Sequence, residues 1–515
     1  MQNLGLLAPE IALSLLGLGL MLADLLIPGK SSKLLYHFAW FAAAAALALI
    51  ARGLSVSGGL PLPVVGGLWV VDPMSQFFKL AVLLSVIMTV MLCLEYGQLP
   101  PAQAGTFCAL LIFSAVGMML LVSATDLLLV FVALELISVS SFVLAGFERR
   151  NHKSNEGAIK YFLFGAFSSA IMIYGISLYY GAMGTTRLID PQSAGLWLPA
   201  LQAKGPAFTL AMLFILLGFG FKAAMAPMHF WVPDAYEGAP LPVTAFLSVA
   251  PKIATIGVLA RVYMVLVPAA GLGFTTLLAL LAMLTMTVGN TVAIFQDNVK
   301  RLLAYSSIAQ AGYILIGIVA ANALGLEGVL IYSLVYVAMN LGAFAVVQAV
   351  GDDGARGGMG SYELAAFDGL SRRSLALALL MTVFLLSLAG LPPLAGFIGK
   401  FYLFAAALSA GRSASGGVSP AVFYGLAVVG VLNSVVSVYY YMKIAYHMFF
   451  LPAHSGKGER LPSKDGGPSP AAAPVLHAGP YLYGCLAVAA AAVLYFGIYP
   501  DPLIANVKLS VPNLP

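Results

Sequence analysis

Four ionisable residues stand where a water-soluble protein would have no reason to put them. Glu135, Lys222, Lys252 and Lys400 each interrupt a long apolar run, and a charge carried to the middle of a bilayer costs roughly 2.5 to 3.5 kcal/mol on insertion scales. Residues kept there need a partner or a task. Burial disfavours the charged form of a lysine while a neighbouring carboxylate favours it, so one glutamate and several lysines under these opposed influences can exchange protons. The competing reading is a static ion pair that fixes helix packing. His229, close behind Lys222 and followed by Asp234 and Glu237, adds a titratable imidazole able to pass protons on, with an ordinary interfacial loop as the alternative. Lys79 and Lys443 fall near helix ends, where a long stem can snorkel to water, and Lys300 and Arg301 are accounted for by orientation of the chain alone.

The elements that carry these residues follow from composition. The chain has 515 residues, 61% hydrophobic and 9% charged, more apolar surface than a soluble globule can hide. The expected fold is an all-α integral membrane protein in the lipid bilayer. Runs of roughly 20 apolar residues predict about fourteen transmembrane helices, at 4–27, 34–51, 74–96, 105–123, 126–147, 157–182, 207–227, 240–266, 272–295, 302–321, 325–350, 374–409, 420–450 and 480–499. Glu135 then lies nine residues into the fifth span and Lys252 about twelve into the eighth, both near the midplane. The first run lacks a basic leader and a small-residue cleavage site, so it reads as a helix rather than a signal peptide. The odd-numbered connections carry thirteen lysines and arginines, the even ones and the tails five. That asymmetry predicts odd connections in the cytoplasm and both termini outside. The chain divides into three leading helices (1–104), two five-helix units (105–271 and 272–450) and a cytoplasmic loop with the last helix (451–515). Only 351–360 and 454–474 have the composition of linkers.

The two units are expected to be inverted repeats, helices 4–8 and 9–13. Gly218-Phe219-Gly220-Phe221-Lys222 and Gly396-Phe397-Ile398-Gly399-Lys400 share a GFxxK pattern, and the seventh and twelfth spans cross in opposite directions. Both spans should be broken. Residues 374–409 as one straight helix would reach roughly 54 Å, and Leu391-Pro392-Pro393 can interrupt it, as Pro227 and Pro233 can beside Lys222. Unwound backbone at membrane depth is tolerated where it lines a wet cavity or is buried in protein, which points to an ion path. Pro-kinked packing helices are the plainer alternative.

Cys93, Cys108 and Cys485 lie in apolar runs and the six histidines are scattered, so the sequence offers no ligand set at metal-site spacing and no dinucleotide fingerprint. No cofactor is expected in this chain, and nothing suggests a nucleic acid as partner.

Several stretches together resemble the antiporter-like membrane subunits of respiratory complex I. They are Leu134-Glu135-Leu136-Ile137-Ser138, Glu156 to Phe162, Lys222 to Val243, Lys300 to Gly312 and Leu391 to Phe401. The departures are small: Ser374 follows Arg372-Arg373 where proline is common, and Phe142 stands where many relatives carry tyrosine. The resemblance implies fourteen core helices with broken helices 7 and 12, and it implies that Glu135, Lys222, Lys252 and Lys400 are the proton-path residues. It also implies other membrane-arm subunits as partners, which would hold NADH, flavin, iron-sulfur clusters and quinone, and a bacterial inner membrane as location. A subunit of a multi-subunit sodium/proton antiporter is the second reading, and a purely structural helix bundle the third.

Overall fold

The computed structural model describes residues 4–26, 32–56, 61–99, 101–188, 205–270, 272–355, 362–413, 418–452 and 478–511. The first expected linker begins inside the last turn of a helix that ends at Ala355; its residues 356–360 and the whole of 454–474 lie outside the described residues. Six helices open the chain: α1 (Ala8–Leu26), α2 (Ser32–Val56), α3 (Pro73–Glu95), α4 (Ala104–Ser123), α5 (Leu127–Ala145) and α6 (His152–Met183). Three of them are opened by N-cap side chains that satisfy free amides of the first turn. Asp72 forms a reciprocal capping box with Ser75 and is followed by Pro73, Asp126 accepts from the amides of Leu128 and Leu129, and Asn151 accepts from that of Lys153. Asp24 of α1 reaches across to the first turn of α4, where its carboxylate accepts from the amides of Gly105 and Thr106.

The seventh crossing is discontinuous. Helix α7 (Gly205–Lys222) stops at Lys222, a turn containing Ala224 at φ 59° and Pro227 follows, and the short α8 (Trp231–Gly238) leads to α9 (Leu241–Ala270). The break therefore follows Lys222 directly. Pro233 does not contribute to it: it sits in the first turn of α8, where a missing amide costs nothing because that amide has no intrahelical acceptor. Helices α10 (Leu272–Ile294), α11 (Val299–Ala320) and α12 (Ala323–Ala355) open the second unit.

After a single turn, α13 (Leu370–Arg373), the twelfth crossing is made by α14 (Leu375–Ala389) and α15 (Ala395–Ser413). Gly390, at φ 86°, supplies the left-handed cap that ends α14 ahead of the two prolines. Gly396 is required just beyond, since a Cβ there would stand 1.9 Å from the carbonyl oxygen of Ser387. Helices α16 (Pro420–Phe450) and α17 (Pro480–Ile498) complete the crossings, and α18 (Asp501–Ser510) follows. Gly497 of α17 lies against the break, where a Cβ would come 2.3 Å from the carbonyl of Pro393.

Thirteen of the described helices are long and apolar enough to cross a membrane by themselves, and the α14–α15 pair makes the fourteenth crossing. The expected architecture, two inverted five-helix units with broken helices 7 and 12, is present. Three details differ from expectation. The connection after α2 holds a small antiparallel hairpin, β1 (Leu62–Val64) with β2 (Trp69–Val71), the one sheet among the described residues. The GFxxK match is not the register of the repeat, because Lys222 precedes its break whereas Lys400 follows its own. Lys79 does not snorkel: it is 1% exposed and paired at 2.7 Å with Glu10 of α1, itself 4% exposed. Lys443 lies two turns before the end of α16, bound to the exposed Asp297 at 2.9 Å.

Candidate functional site

Glu135 and Lys222 line one small cavity between α5, α6 and α7, together with Ser168, Ser169, Met172 and Gly218. Its volume is about 10 Å³, the room of one water centre. Ser169 donates to Glu135 at 2.5 Å. Lys222 donates to Ser138, one turn beyond Glu135 on α5, and Ser138 in turn donates to the carbonyl of Leu134. Aromatic faces complete the ammonium's surroundings, with the rings of Phe142, Phe221 and Tyr161 centred 5.1, 5.2 and 5.8 Å away. Glu135 is half-buried and Lys222 buried.

Lys252, midway along α9, donates to Ser307 of α11 at 2.6 Å and lies 5.3 Å from the ring centre of Tyr236 on α8. Lys400 donates to the carbonyl of Ala389 at 2.9 Å and to Ser434 of α16 at 3.2 Å, above the ring of Tyr313. Ala389 is the last residue of α14, so its carbonyl is one that the break leaves without an intrahelical partner. Lys222 is the last residue of α7 with its ammonium turned to α5, whereas Lys400, bonded to the end of α14, sits at the negative pole of the first half of its broken helix.

Neutral polar groups occupy the space between the last two lysines. Ser306, beside Ser307, bonds the hydroxyl of Tyr441 at 2.6 Å. Gln310 donates both to that hydroxyl, at 3.1 Å, and to the carbonyl of Leu388, at 3.0 Å, next to Ala389. Tyr332 donates to the amide oxygen of Gln310. Such hydroxyls and amides can both give and accept hydrogen bonds, which a proton wire needs.

The four charged residues named from the sequence therefore all lie in the interior, each on a hydroxyl partner. His229 is also buried, packed on Phe230 with ring centres 4.7 Å apart; its Nδ1 has no hydrogen-bond partner among the described residues, and it bonds none of the four. Two features escaped the sequence reading. One is the Glu10–Lys79 pair, which is legible in retrospect as a carboxylate and an ammonium both about a turn or two inside the same face of the membrane. The other is Lys300, which is buried rather than orienting: it donates to the carbonyls of Glu237 and Ala239 at 3.0 and 2.8 Å. Arg301 beside it bridges Asp234 and Glu237 at 2.8 and 2.7 Å.

A fourteen-crossing bundle with two discontinuous helices, each with a buried lysine beside its break, is the fold of the antiporter-like membrane translocators. Residues 124–418 match the family model described as NADH:quinone oxidoreductase/Mrp antiporter, TM, and the chain belongs to that family. NADH-quinone oxidoreductase subunit N of Trichlorobacter lovleyi is 43% identical over 452 residues, 87% of this chain and 88% of that one. A chain of respiratory complex I from Thermus thermophilus with bound aureothin is 33% identical and superposes with a TM-score of 0.77, covering 97% of this chain and 99% of its own length. A chain of the Mrp complex from Dietzia sp. gives a TM-score of 0.80 at 22% identity, with 98% of each chain covered. Shape alone thus does not separate the two kinds of complex, whereas sequence favours the first.

Proposed function

We propose that this chain is a proton-translocating membrane-arm subunit of an NADH:quinone oxidoreductase, working beside other membrane-arm subunits. Glu135, Lys222, Lys252 and Lys400 relay the proton, and His229 is a secondary candidate. The chain performs no redox step of its own; NADH, flavin, iron-sulfur clusters and quinone belong to partner subunits, a reading supported by the ligand-poor sequence. The odd connections face the cytoplasm and both termini face outward, as the distribution of basic residues suggests.

One observation supports the relay above the others: neutral polar groups fill the space between Lys252, bonded to Ser307, and the broken end of α14, where Gln310 bonds the carbonyl of Leu388 and Lys400 that of Ala389, with Ser306 and Tyr441 between them. A static packing charge would need one partner; here two buried lysines flank a set of hydroxyls and an amide able to pass protons. On this reading a proton held between Glu135 and Lys222 moves on when the charge of either changes, and Lys400 releases it outward.

The test is NADH-driven acidification in vesicles containing the whole complex, in sodium-free and in sodium-containing buffer. Equal acidification in both supports proton relay. NADH oxidation without acidification, or acidification only with sodium, would reject it. The second reading, a sodium/proton antiporter subunit, is favoured only by the shared fold and predicts proton movement driven by a sodium gradient without NADH.

A further inference from the structure

We propose that Lys300 is an additional proton-relay residue, loaded through Glu148 from a cleft on the basic side of the protein and discharging toward Lys252. This rests on the proton-relay reading above and extends its path to the cytoplasmic surface. The cleft encloses about 310 Å³, and Tyr96, Glu148, Glu237, Lys300 and Tyr362 are among its lining residues. That is room for several waters. At its floor Lys300 is 2% exposed, held by two carbonyls, with the ring of Tyr362 centred 4.8 Å from its ammonium.

The carboxylates around the cleft are not equivalent. Glu237 is committed on both oxygens, to Lys153 at 2.7 Å and to Arg301 at 2.7 Å. Glu148 is held instead by neutral donors, Tyr96 at 2.7 Å and Asn151 at 3.2 Å. Glu148 can exchange these hydrogen bonds for ones to water of the cleft, whereas both oxygens of Glu237 are occupied by cations. Glu148 is therefore the collecting group.

The inward connection follows from helix geometry. Lys300 and Ser307 are seven residues apart on α11, two turns along the same face and roughly 10 Å in rise. Ser307 receives the hydrogen bond of Lys252. Tyr236, whose ring lies beside Lys252, is the neighbour of Glu237, whose carbonyl binds Lys300, so α8 touches both lysines with consecutive residues. In the transfer, the ammonium of Lys300 becomes an amine and the amine of Lys252 an ammonium; Glu148 then returns a proton to Lys300 and is itself reprotonated by water of the cleft.

A structural account is also available to Lys300, as a cap for the last carbonyls of α8. Lys300→Arg separates the two, because a guanidinium can cap those carbonyls but hardly releases a proton. NADH-driven acidification is measured in vesicles of the whole complex and normalised to assembled complex. The arginine variant should assemble and pump at less than about a tenth of the wild-type rate, the loss expected when a positioned proton-transfer group is removed. Wild-type pumping by the arginine variant would overturn the proposal. Glu148→Gln, at the wet rim where folding is not at stake, should slow pumping several-fold, and an unchanged rate there would overturn it equally, whether or not the arginine variant assembles. A parallel Lys400→Met variant identifies which layer fails: normal pumping by that variant rejects the relay reading itself, whereas its loss beside normal pumping by both cleft variants rejects only this extension.

Discussion

Lys222 and Lys400 stand on opposite sides of the breaks in their discontinuous helices. Lys222 is the last residue of α7, whereas Lys400 is the sixth residue of α15 and reaches back to the carbonyl of Ala389, the last residue of α14. The Lys400 ammonium thus meets a helix end that carries about half a negative charge, whereas that of Lys222 is held by Ser138 of the neighbouring α5.

Lys400→Met keeps length and apolar bulk while deleting the titratable amine, so assembly should survive. Proton pumping per assembled complex should fall by about 100-fold or more, the scale attached to a positioned acid-base group. Electron transfer should fall with it where coupling is tight. Acidification in vesicles is the measurement, and wild-type pumping would show that Lys400 is structural.

Glu135→Gln retains an acceptor for Ser169 but removes the charge that Lys222 shares its cavity with. Pumping should drop strongly with little change in stability. Ser138→Ala acts on the other partner: it takes away the acceptor of a buried ammonium, which costs about 1–3 kcal/mol. Thermal denaturation and acidification read together should show the glutamine variant stable but inactive and the alanine variant weakened in both.

Lys79→Met leaves Glu10 buried without its partner, a loss of about 3–5 kcal/mol. The double variant Glu10→Gln, Lys79→Met should recover much of this, since no charge is then stranded. Both should pump normally per assembled complex, because the pair joins α1 to α3 away from the polar groups between Lys252 and Lys400. The assembled yield and melting temperature of the complex test the first two statements and acidification the third.

Gly396→Ala should prevent correct closure of the twelfth crossing, because the intruding methyl would meet backbone, the Ser387 carbonyl, rather than a side chain that can move. A cost of about 1–3 kcal/mol or more is expected. Gly425→Ala, on α16 with nothing within 4 Å of the added atom, is the control and should be neutral. Comparison of assembled complex in membranes decides between them.

The crossings were legible because bilayer thickness sets the length of an apolar run, and α16 and α17 start where the sequence predicts. The broken twelfth helix was legible for the same reason: its run is too long for one span and carries two prolines. The seventh break was located only roughly, since Pro227 marks it while Pro233 is tolerated in a first turn. The pairing of Glu10 with Lys79 and the burial of Lys300 were not legible, because whether a lysine snorkels or turns inward depends on which helix packs beside it, and periodicity carries no information about neighbours. The hydroxyl partners Ser138, Ser307 and Ser434 were hidden for a related reason, serine being equally at home as a helix bond to its own backbone.

The two broken helices have a consequence for how the protein experiences membrane voltage. Helices α7 and α14 begin the seventh and twelfth crossings and so run antiparallel, their negative ends both directed into the bilayer from opposite faces. A transmembrane field does work of opposite sign on two opposed dipoles, and the two contributions cancel. The voltage the protein works against therefore does little net work on this pair of half-helices, and that work falls chiefly on the transported charge.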